Sequence, residues 1–221
     1  MKADLIIFDF DGTILNSERG IANCVRHALA SVGVEEHDDS KIRRFIGPPL
    51  FHAFQELYGF DDETAARLVD VYRERYRPVG YRECEVYEGV LPMLAALRET
   101  GVKTAVASAK PEEFVVKISR ELGFAHLFDA LIGSRLQDTQ ADKTRLLQRA
   151  MEETGFSGAH NVVMVGDSRF DMLAAKNAGA FAVGVEYGFG SRAELEESGA
   201  DYIAKTVRDL ERCLLSLINI S

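Results

Sequence analysis

The sequence has no run of about 18 apolar residues, so no segment is predicted to span a membrane. Its beginning lacks a signal-peptide pattern and leads directly into a strand pattern. Cys24, Cys84 and Cys213 lie far apart and suggest neither a metal-ligand pair nor a disulfide framework, and their odd number fits a reducing compartment. These absences predict a cytoplasmic protein without a membrane partner.

Positive charge is scarce as well. The formal net charge is -9, from 26 lysines and arginines against 35 aspartates and glutamates, and no basic cluster is present. Nucleic-acid binders concentrate positive charge on one face, so no nucleic-acid partner is expected. An anionic ligand would need local positive charge from lysine, arginine or a metal ion. The sequence leaves the oligomeric state open.

The sequence does contain an alternation of short apolar runs with helical patterns. Helix-terminating glycines such as Gly179 and a helix-initiating proline, Pro111, separate these patterns. Strands alternating with helices predict an α/β fold, a doubly wound parallel sheet with helices on both faces. The predicted strands cover residues 4–9, 102–107, 130–133, 161–166, 180–185 and, more weakly, 202–204.

Residues 16–81 interrupt the alternation. Helical patterns follow one another there with no strand between them, around residues 39–46, 50–58 and 62–77 after a first helix. We therefore predict an all-helical module over residues 16–81, inserted into an α/β core formed by residues 1–15 and 82–221. Arg44 is a candidate substrate-binding residue of this module; the alternative is that it belongs to a solvated helix face.

Polar residues cluster where the predicted strands end. In an open parallel sheet, ligands bind beyond the carboxyl ends of the strands, so the fold should bring these residues to one edge. The residues concerned are Asp9, Asp11 and Thr13 after the first strand, Ser108 and Lys110 after the second, Lys143 after the third, and Asp167 and Asp171 after the fourth.

Several of these residues also have ordinary structural interpretations. Ser108 could cap the helix that follows it, and Asp171 could complete a capping box with Ser168. Lys110 is interpreted first as a solvated surface lysine. Lys143 is harder to explain in this way, because a cation in the first turn of a helix opposes the helix dipole. On that argument, removing Lys143 is expected to lower activity without lowering stability.

Carboxylates gathered at a strand edge are unfavourable unless a cation binds them. Oxygen ligands with retained waters suit Mg²⁺, which we predict as the cofactor. Asp9 and Asp167 are the predicted direct ligands, joined by the backbone carbonyl of Asp11, with Asp171 nearby as a further candidate. A carboxylate can also act as a nucleophile on phosphorus, and we predict Asp9 in that role with Asp11 as general acid and base.

The order of motifs resembles the haloacid dehalogenase superfamily of phosphatases. The matching motifs are DFDGT at residues 9–13 with the preceding strand, Ser108 after a strand, Lys143, and GDSRFD at residues 166–171. The resemblance implies a nucleophile at Asp9, an acid/base at Asp11, and a phosphate-binding lysine at Lys143. It also implies a helical cap and a phosphate-binding site; the candidate substrate-binding residues of the core are Thr13, Ser108, Ala109 and Lys110.

Within that superfamily, the stretches FIGPPL, ASAKP and YGFGSRAEL are similar to the phosphoglycolate phosphatase-like group and to 5'-nucleotidases. The implied function is hydrolysis of a small phosphorylated metabolite. A sugar phosphomutase remains an alternative because it shares all four motifs, and a non-catalytic phosphate-binding scaffold is a third possibility. The glycines of residues 184–190 are interpreted as a mobile loop near the cleft.

Overall fold

The computed structural model describes residues 2–135 and 142–218. Two compact units are present: one formed by residues Met1–Leu15 and Val86–Ser221, and one formed by Asn16–Glu85. The predicted helical module of residues 16–81 falls inside the second unit. Its assignment as a cap domain stays a prediction.

The strands and helices alternate through the first unit, whereas helices dominate the second. The strands are β1 (Leu5–Phe8), β2 (Leu15–Asn16), β3 (Glu85–Val86), β4 (Lys103–Pro111), β5 (Ala130–Ser134), β6 (Val162–Gly166), β7 (Phe181–Val185) and β8 (Tyr202–Ala204). The helices are α1 (Glu18–Ala30), α2 (Asp39–Arg43), α3 (Leu50–Tyr58), α4 (Asp62–Tyr76), α5 (Val90–Glu99), α6 (Glu112–Glu121), α7 (Lys143–Glu153), α8 (Arg169–Ala178), α9 (Arg192–Glu197) and α10 (Val207–Ile218).

A six-stranded sheet forms the centre of the first unit, in the order β5-β4-β1-β6-β7-β8. Each neighbouring pair in this sheet is parallel. The predicted α/β class and doubly wound parallel sheet are confirmed. The chain starts in the middle of the sheet and adds strands on both sides of β1, so the carboxyl ends of β4, β1 and β6 lie side by side.

The central strands are apolar on both faces because helices cover both faces of the sheet. All four residues of β1 are at most 1% exposed. Leu5 and Ile7 share a core cluster with Leu147 of α7 and Met172 of α8. Burying a leucine or isoleucine side chain fully contributes about 1.5–3 kcal/mol. This core therefore holds the strands, and the residues at their carboxyl ends, in place.

Strand β4 is longer than the sequence pattern predicts. It continues past Ala107 to Pro111, and its pairing with β5 shifts register between Ser108 and Pro111. Ser108 is opposite Gly133 and Pro111 is opposite Ser134, so β4 uses three steps where β5 uses one. Extra residues of this kind bend a strand and redirect its side chains. The predicted loop residues Ser108, Ala109 and Lys110 therefore belong to an irregular strand end.

The second unit is built from α1 to α4. Helix α4 packs against both α1 and α3. Phe45 and Phe54 are buried in this unit, with ring centroids 4.9 Å apart. Asp38 and Asp61 cap α2 and α4 by accepting hydrogen bonds from backbone N–H groups.

None of the helices within residues 2–135 and 142–218 has the length and apolar character required to cross a bilayer.

Candidate active site

The predicted site residues of the core lie at the carboxyl edge of the sheet. Asp9 directly follows β1, and its N–H donates a hydrogen bond to the carbonyl of Val165 in β6, at 2.8 Å. Asp167 directly follows β6. Lys143 is the first residue of α7, which Asp142 caps by accepting hydrogen bonds from the N–H groups of Thr144 and Arg145. Parallel strand order thus brings together residues that are up to 158 positions apart, Asp9 and Asp167.

Lys143 is buried between two carboxylates. Its Nζ lies 2.5 Å from Asp9 Oδ1 and 2.8 Å from Asp171 Oδ1. Both contacts are ion pairs, and the contact with Asp9 is also a hydrogen bond. The unusual cation at the start of α7 is explained by these two partners. Their charges outweigh the dipole term, which is worth about 0.3–1 kcal/mol at a helix end.

Asp9, Asp167 and Asp171 form a group that could hold a metal ion. Each offers one carboxylate oxygen, and these oxygens all lie within 4.8 Å of one another. All three side chains are buried or nearly so. Lys143 supplies a single positive charge to three carboxylates, so a bound cation would offset the remaining charge. A purely oxygen-donor set suits a hard divalent ion such as Mg²⁺.

Burial and mutual repulsion shift the pKa values of the groups in this cluster. Burial raises the pKa of Asp9 to about 6, against the opposing attraction of Lys143 and with the added repulsion of Asp171. Burial, then Asp171 and Asp9, hold the pKa of Asp167 well above its usual value. Burial alone would lower the pKa of Lys143, but the charges of Asp171 and Asp9 raise it. Lys143 is therefore held in its charged form by the two carboxylates that it contacts.

Asp11 lies outside this group and has its own lysine. Lys110 Nζ contacts both carboxylate oxygens of Asp11, at 2.9 and 2.7 Å. The Lys110 side chain is only 5% exposed, so its interpretation as a solvated surface lysine is wrong. The strand irregularity explains the difference, because it carries Lys110 inward at the end of β4. The predicted use of the Asp11 carbonyl as a metal ligand stays a prediction.

The remaining candidate substrate-binding residues of the core lie along the same edge. Thr13 is 1% exposed, and its hydroxyl has no hydrogen-bond partner in the described part of the chain. Ser108 Oγ accepts from the N–H of Lys110 at 3.3 Å and caps no helix, so its alternative as a helix cap is wrong. The Ala109 carbonyl accepts a hydrogen bond from Ser134 Oγ at 2.7 Å.

Asp171 combines both interpretations that the sequence left open. Its Oδ2 accepts from the N–H and the hydroxyl of Ser168, at 3.1 and 2.7 Å, which completes the capping box of α8. Its Oδ1 contacts Lys143. One carboxylate therefore caps a helix and contributes charge to the site.

Arg44 belongs to the second unit, at the end of α2. It is exposed, whereas its neighbour Arg43 forms an ion pair with Glu18 within the same unit. Its backbone N–H donates a hydrogen bond to the Lys41 carbonyl, whereas its guanidinium forms no hydrogen bond or ion pair with another residue of the described part of the chain. A contact between Arg44 and substrate stays a prediction.

Sequence reasoning missed the contribution of residues 187–190. The backbone N–H of Phe189 donates a hydrogen bond to Asp167 Oδ2 at 2.7 Å. The contact agrees with the predicted position of this glycine-containing stretch near the cleft, and its mobility stays a prediction. The glycine spacing was the available signal, but a backbone donor has no residue type by which a sequence could reveal it.

Comparison with known proteins agrees with this geometry. The chain matches the family described as haloacid dehalogenase-like hydrolase over residues 6–185. A 5'-nucleotidase of Pseudomonas aeruginosa is 40% identical over 190 residues, which cover 86% of each chain. A phosphoglycolate phosphatase of Vibrio cholerae is 27% identical over 219 residues, which cover 96% of each chain.

A further relative has a different name. The tyrosine-protein kinase PtkA of Mycobacterium tuberculosis is 32% identical over 202 residues, which cover 91% of this chain and 66% of that protein. Among solved structures, that of a predicted phosphatase from Clostridium acetobutylicum has a TM-score of 0.92 at 34% identity, covering 98% of this chain and 100% of that one.

Proposed function

We propose that this chain uses Mg²⁺ and forms an aspartyl-phosphate on Asp9. The proposal starts from the family: the chain belongs to the haloacid dehalogenase-like hydrolases and is a hydrolase of phosphoric monoesters. The single observation that carries this proposal is the division of carboxylates at the sheet edge. One carboxylate oxygen from each of Asp9, Asp167 and Asp171 lies within 4.8 Å of the other two, beside Lys143, whereas Asp11 forms an ion pair with Lys110.

Asp9, Asp167 and Asp171 are the proposed ligands of the ion. When bound, Mg²⁺ would neutralise charge on the phosphoryl group and orient it. Lys143 would remain the fixed cation beside Asp9, where it offsets both the nucleophile and the incoming phosphate. The buried Thr13 hydroxyl and Ser108 Oγ would donate hydrogen bonds to phosphate oxygens. These donors are already buried, so little reorganisation is required when charge develops.

The proposed reaction has two steps. In the first, a carboxylate oxygen of Asp9 forms a bond to phosphorus, the ester P–O bond breaks, and Asp11 gives its proton to the leaving oxygen. In the second, water attacks the same phosphorus, Asp11 takes a proton from that water, and the bond from Asp9 to phosphorus breaks. Inorganic phosphate leaves and both aspartates return to their starting states.

The proposed substrate is a small phosphorylated metabolite, either a nucleoside 5'-monophosphate or a compound like phosphoglycolate. The names of two relatives, 5'-nucleotidase and phosphoglycolate phosphatase, support these two classes. The higher identity of the 5'-nucleotidase places nucleoside monophosphates first in any screen. A cytoplasmic location would suit such substrates.

Phosphate release from a panel of metabolites, with Mg²⁺ and with excess chelator, tests the proposal. We expect release only with Mg²⁺, and none from the Asp9→Asn variant with any substrate. Full activity in chelator would exclude the metal. Interconversion of sugar phosphates without phosphate release would indicate a mutase, phosphorylated tyrosine formed from ATP would indicate the activity named for PtkA, and no turnover at all would indicate a scaffold.

The helical unit is proposed to act as the cap, with Arg44 contacting an anionic substrate. Its exposed guanidinium, without an ion pair in the described residues, supports this role. Arg44→Ala should raise KM for an anionic metabolite more than for a neutral aryl phosphate. Arg43→Ala, which removes a surface ion pair with Glu18, is the matched control. Equal effects on both substrates would exclude the contact.

A further inference from the structure

The segment Tyr187–Gly190, which follows β7, surrounds the side chain of Asp167. Its direct contact is the 2.7 Å hydrogen bond from the Phe189 N–H to Asp167 Oδ2. In the described residues this is the one hydrogen bond that the Asp167 carboxylate accepts. The bond fixes the position of Oδ2. Because a carboxylate is planar and rigid, the position of Oδ1 is then restricted as well. An N–H used in this way is not available to bind a phosphate.

Glycines make this close approach possible. A Cβ added at Gly188 would lie 2.4 Å from Asp167 Cβ and 2.4 Å from the Gly12 carbonyl oxygen. A Cβ at Gly190 would lie 1.9 Å from the Asp167 carbonyl oxygen. Distances below 3.0 Å between such atoms require the backbone or the aspartate to move. Any side chain at these positions would therefore displace either the segment or Asp167 and would disturb the contact between them.

Tyr187 attaches the segment to the loop after β1. Tyr187 is half-buried, and its hydroxyl donates a hydrogen bond to the Thr13 carbonyl at 3.0 Å. Its ring packs edge to face against Tyr87, with centroids 5.1 Å apart. An edge-to-face aromatic pair contributes about 0.5–1.5 kcal/mol beyond its buried area. The segment is therefore held against the loop that carries Asp9 as well as against Asp167.

We propose that Tyr187–Gly190 is a positioning element for the divalent-metal site, which holds the Asp167 carboxylate at the distance from Asp9 and Asp171 that a cation requires. This inference rests on the proposed function, since it assumes that Asp167 binds the metal. Groups that hydrogen-bond to a ligating carboxylate orient it, and their loss typically weakens metal affinity by about 10–100-fold. The segment acts through Asp167 and touches no reacting atom.

Gly188→Ala tests the proposal through metal affinity rather than activity. The Mg²⁺ dissociation constant, measured by titration calorimetry, should rise by about 10–100-fold. Gly158→Ala is the matched control, because Gly158 is exposed and an added Cβ meets nothing within 4 Å. Phe189→Ala is a second control: it keeps the backbone N–H and should keep the affinity.

A kinetic measurement separates positioning from a loss of structure. At saturating Mg²⁺, the kcat of Gly188→Ala should return towards that of the unchanged protein, whereas a distorted catalytic centre would not be rescued. If Gly188→Ala fails to fold, Tyr187→Phe replaces it; loss of the hydroxyl alone should weaken Mg²⁺ binding by a smaller factor, with the ring contact kept.

The outcomes distinguish this inference from the proposed function. If the unchanged protein binds Mg²⁺ and Gly188→Ala or its substitute Tyr187→Phe binds it equally well, the positioning role is overturned. The same holds if Gly158→Ala loses as much affinity as Gly188→Ala. If the unchanged protein binds no divalent ion, the proposed metal dependence fails and the inference fails with it.

Discussion

Two lysine–aspartate contacts lie at the same sheet edge and differ in what surrounds them. Lys143, at the start of α7, lies between the carboxylates of Asp9 and Asp171. Lys110, at the irregular end of β4, contacts both oxygens of the single carboxylate of Asp11. The first lysine is shared within the group that could bind metal. The second contacts a carboxylate that lies outside that group.

The difference suggests how four neighbouring aspartates can perform separate tasks. We propose that the carboxylates beside Lys143 serve as metal ligands and nucleophile, and that Asp11, which pairs with Lys110, serves in proton transfer. Titratable groups acquire different roles when their surroundings differ, even on one short loop. Here Asp9 and Asp11 are two residues apart, yet each contacts a different lysine.

The largest expected effect comes from removing the carboxylate that Lys110 holds. Asp11→Asn should slow hydrolysis of an alkyl phosphate by about 10²–10⁴-fold, because a poor leaving group needs the proton. An aryl phosphate should be affected less in its first step and should show a burst of phenol near one equivalent, with phosphate retained on Asp9. Mass spectrometry after acid quench identifies the phosphorylated residue. Equal loss on both esters without a burst would contradict the acid/base role.

Removing Lys143 should be nearly as damaging to activity and also harmful to stability. We expect Lys143→Ala to lose about 10²–10³-fold in kcat, comparable to the loss of one charge-stabilising donor. Removing one member of a buried ion pair typically costs about 3–5 kcal/mol, so thermal unfolding should occur earlier. The expectation from sequence that stability would be unaffected is revised, because Lys143 is buried between two carboxylates.

An exposed lysine of the same unit provides the control for that variant. Lys176 forms a surface ion pair with Asp201. Surface pairs contribute about 0–1 kcal/mol, so Lys176→Ala should leave both activity and unfolding temperature nearly unchanged. A Lys143→Ala protein that keeps its kcat while losing stability would show that Lys143 is structural only.

Substituting Lys110 should give an intermediate effect with a particular signature. Without its partner, the Asp11 carboxylate is free to rotate, and misplaced catalytic groups lose rate steeply with distance. Lys110→Met should lower kcat for an alkyl phosphate by about 10-fold and for an aryl phosphate by less. This preference for one ester is the same as that expected of Asp11→Asn, but the decrease in kcat is smaller. Lys110→Arg, which keeps the charge, should be milder. Equal loss on both esters would indicate a role in substrate binding instead.

The smallest effect concerns pH and the metal-free protein. A carboxyl group whose pKa rises on folding stabilises the folded state. This contribution is fully present when the pH is below the pKa of the unfolded state, and it is lost as the pH rises through the pKa of the folded state. For Asp9 that window runs from 3.8 to about 6. Unfolding temperature in chelator should therefore fall by a few degrees between pH 5 and 7, and Mg²⁺ should raise it more at pH 7. Differential scanning fluorimetry measures both.

Asp9→Asn is the control for this pH dependence. The amide does not titrate, so the decrease in unfolding temperature between pH 5 and 7 should become smaller. An unchanged decrease would show that other groups cause it.

Much of the fold could be predicted because the strands of a covered parallel sheet are apolar throughout. The predicted strand over residues 161–166 is observed as Val162–Gly166, and the predicted helix over residues 169–178 has the same bounds. The end of β4 could not be predicted in this way. Its irregular pairing depends on β5, about 25 residues later, and strand pairing of that kind leaves no local periodicity.

The site also contains features that the sequence could predict and features that it could not. Residues whose side chains are proposed to perform the chemistry, such as Asp9 and Lys143, could be identified from residue type and position after a strand. The burial of Lys110 could not, because it follows from the strand irregularity. The donor to Asp167 could not either, because it is a backbone N–H. Contacts made by backbone atoms depend on conformation rather than on residue type.

The two-sided engagement of Asp171 has a consequence for local motion. One oxygen closes the first turn of α8 and the other faces Lys143, so fraying of that turn would also release the lysine from one of its partners. Local opening of the helix and loss of the charge arrangement would then be a single event. Amide hydrogen exchange in the first turn of α8 would consequently report on the ligand state of the site, since whatever binds beside Lys143 also suppresses the opening.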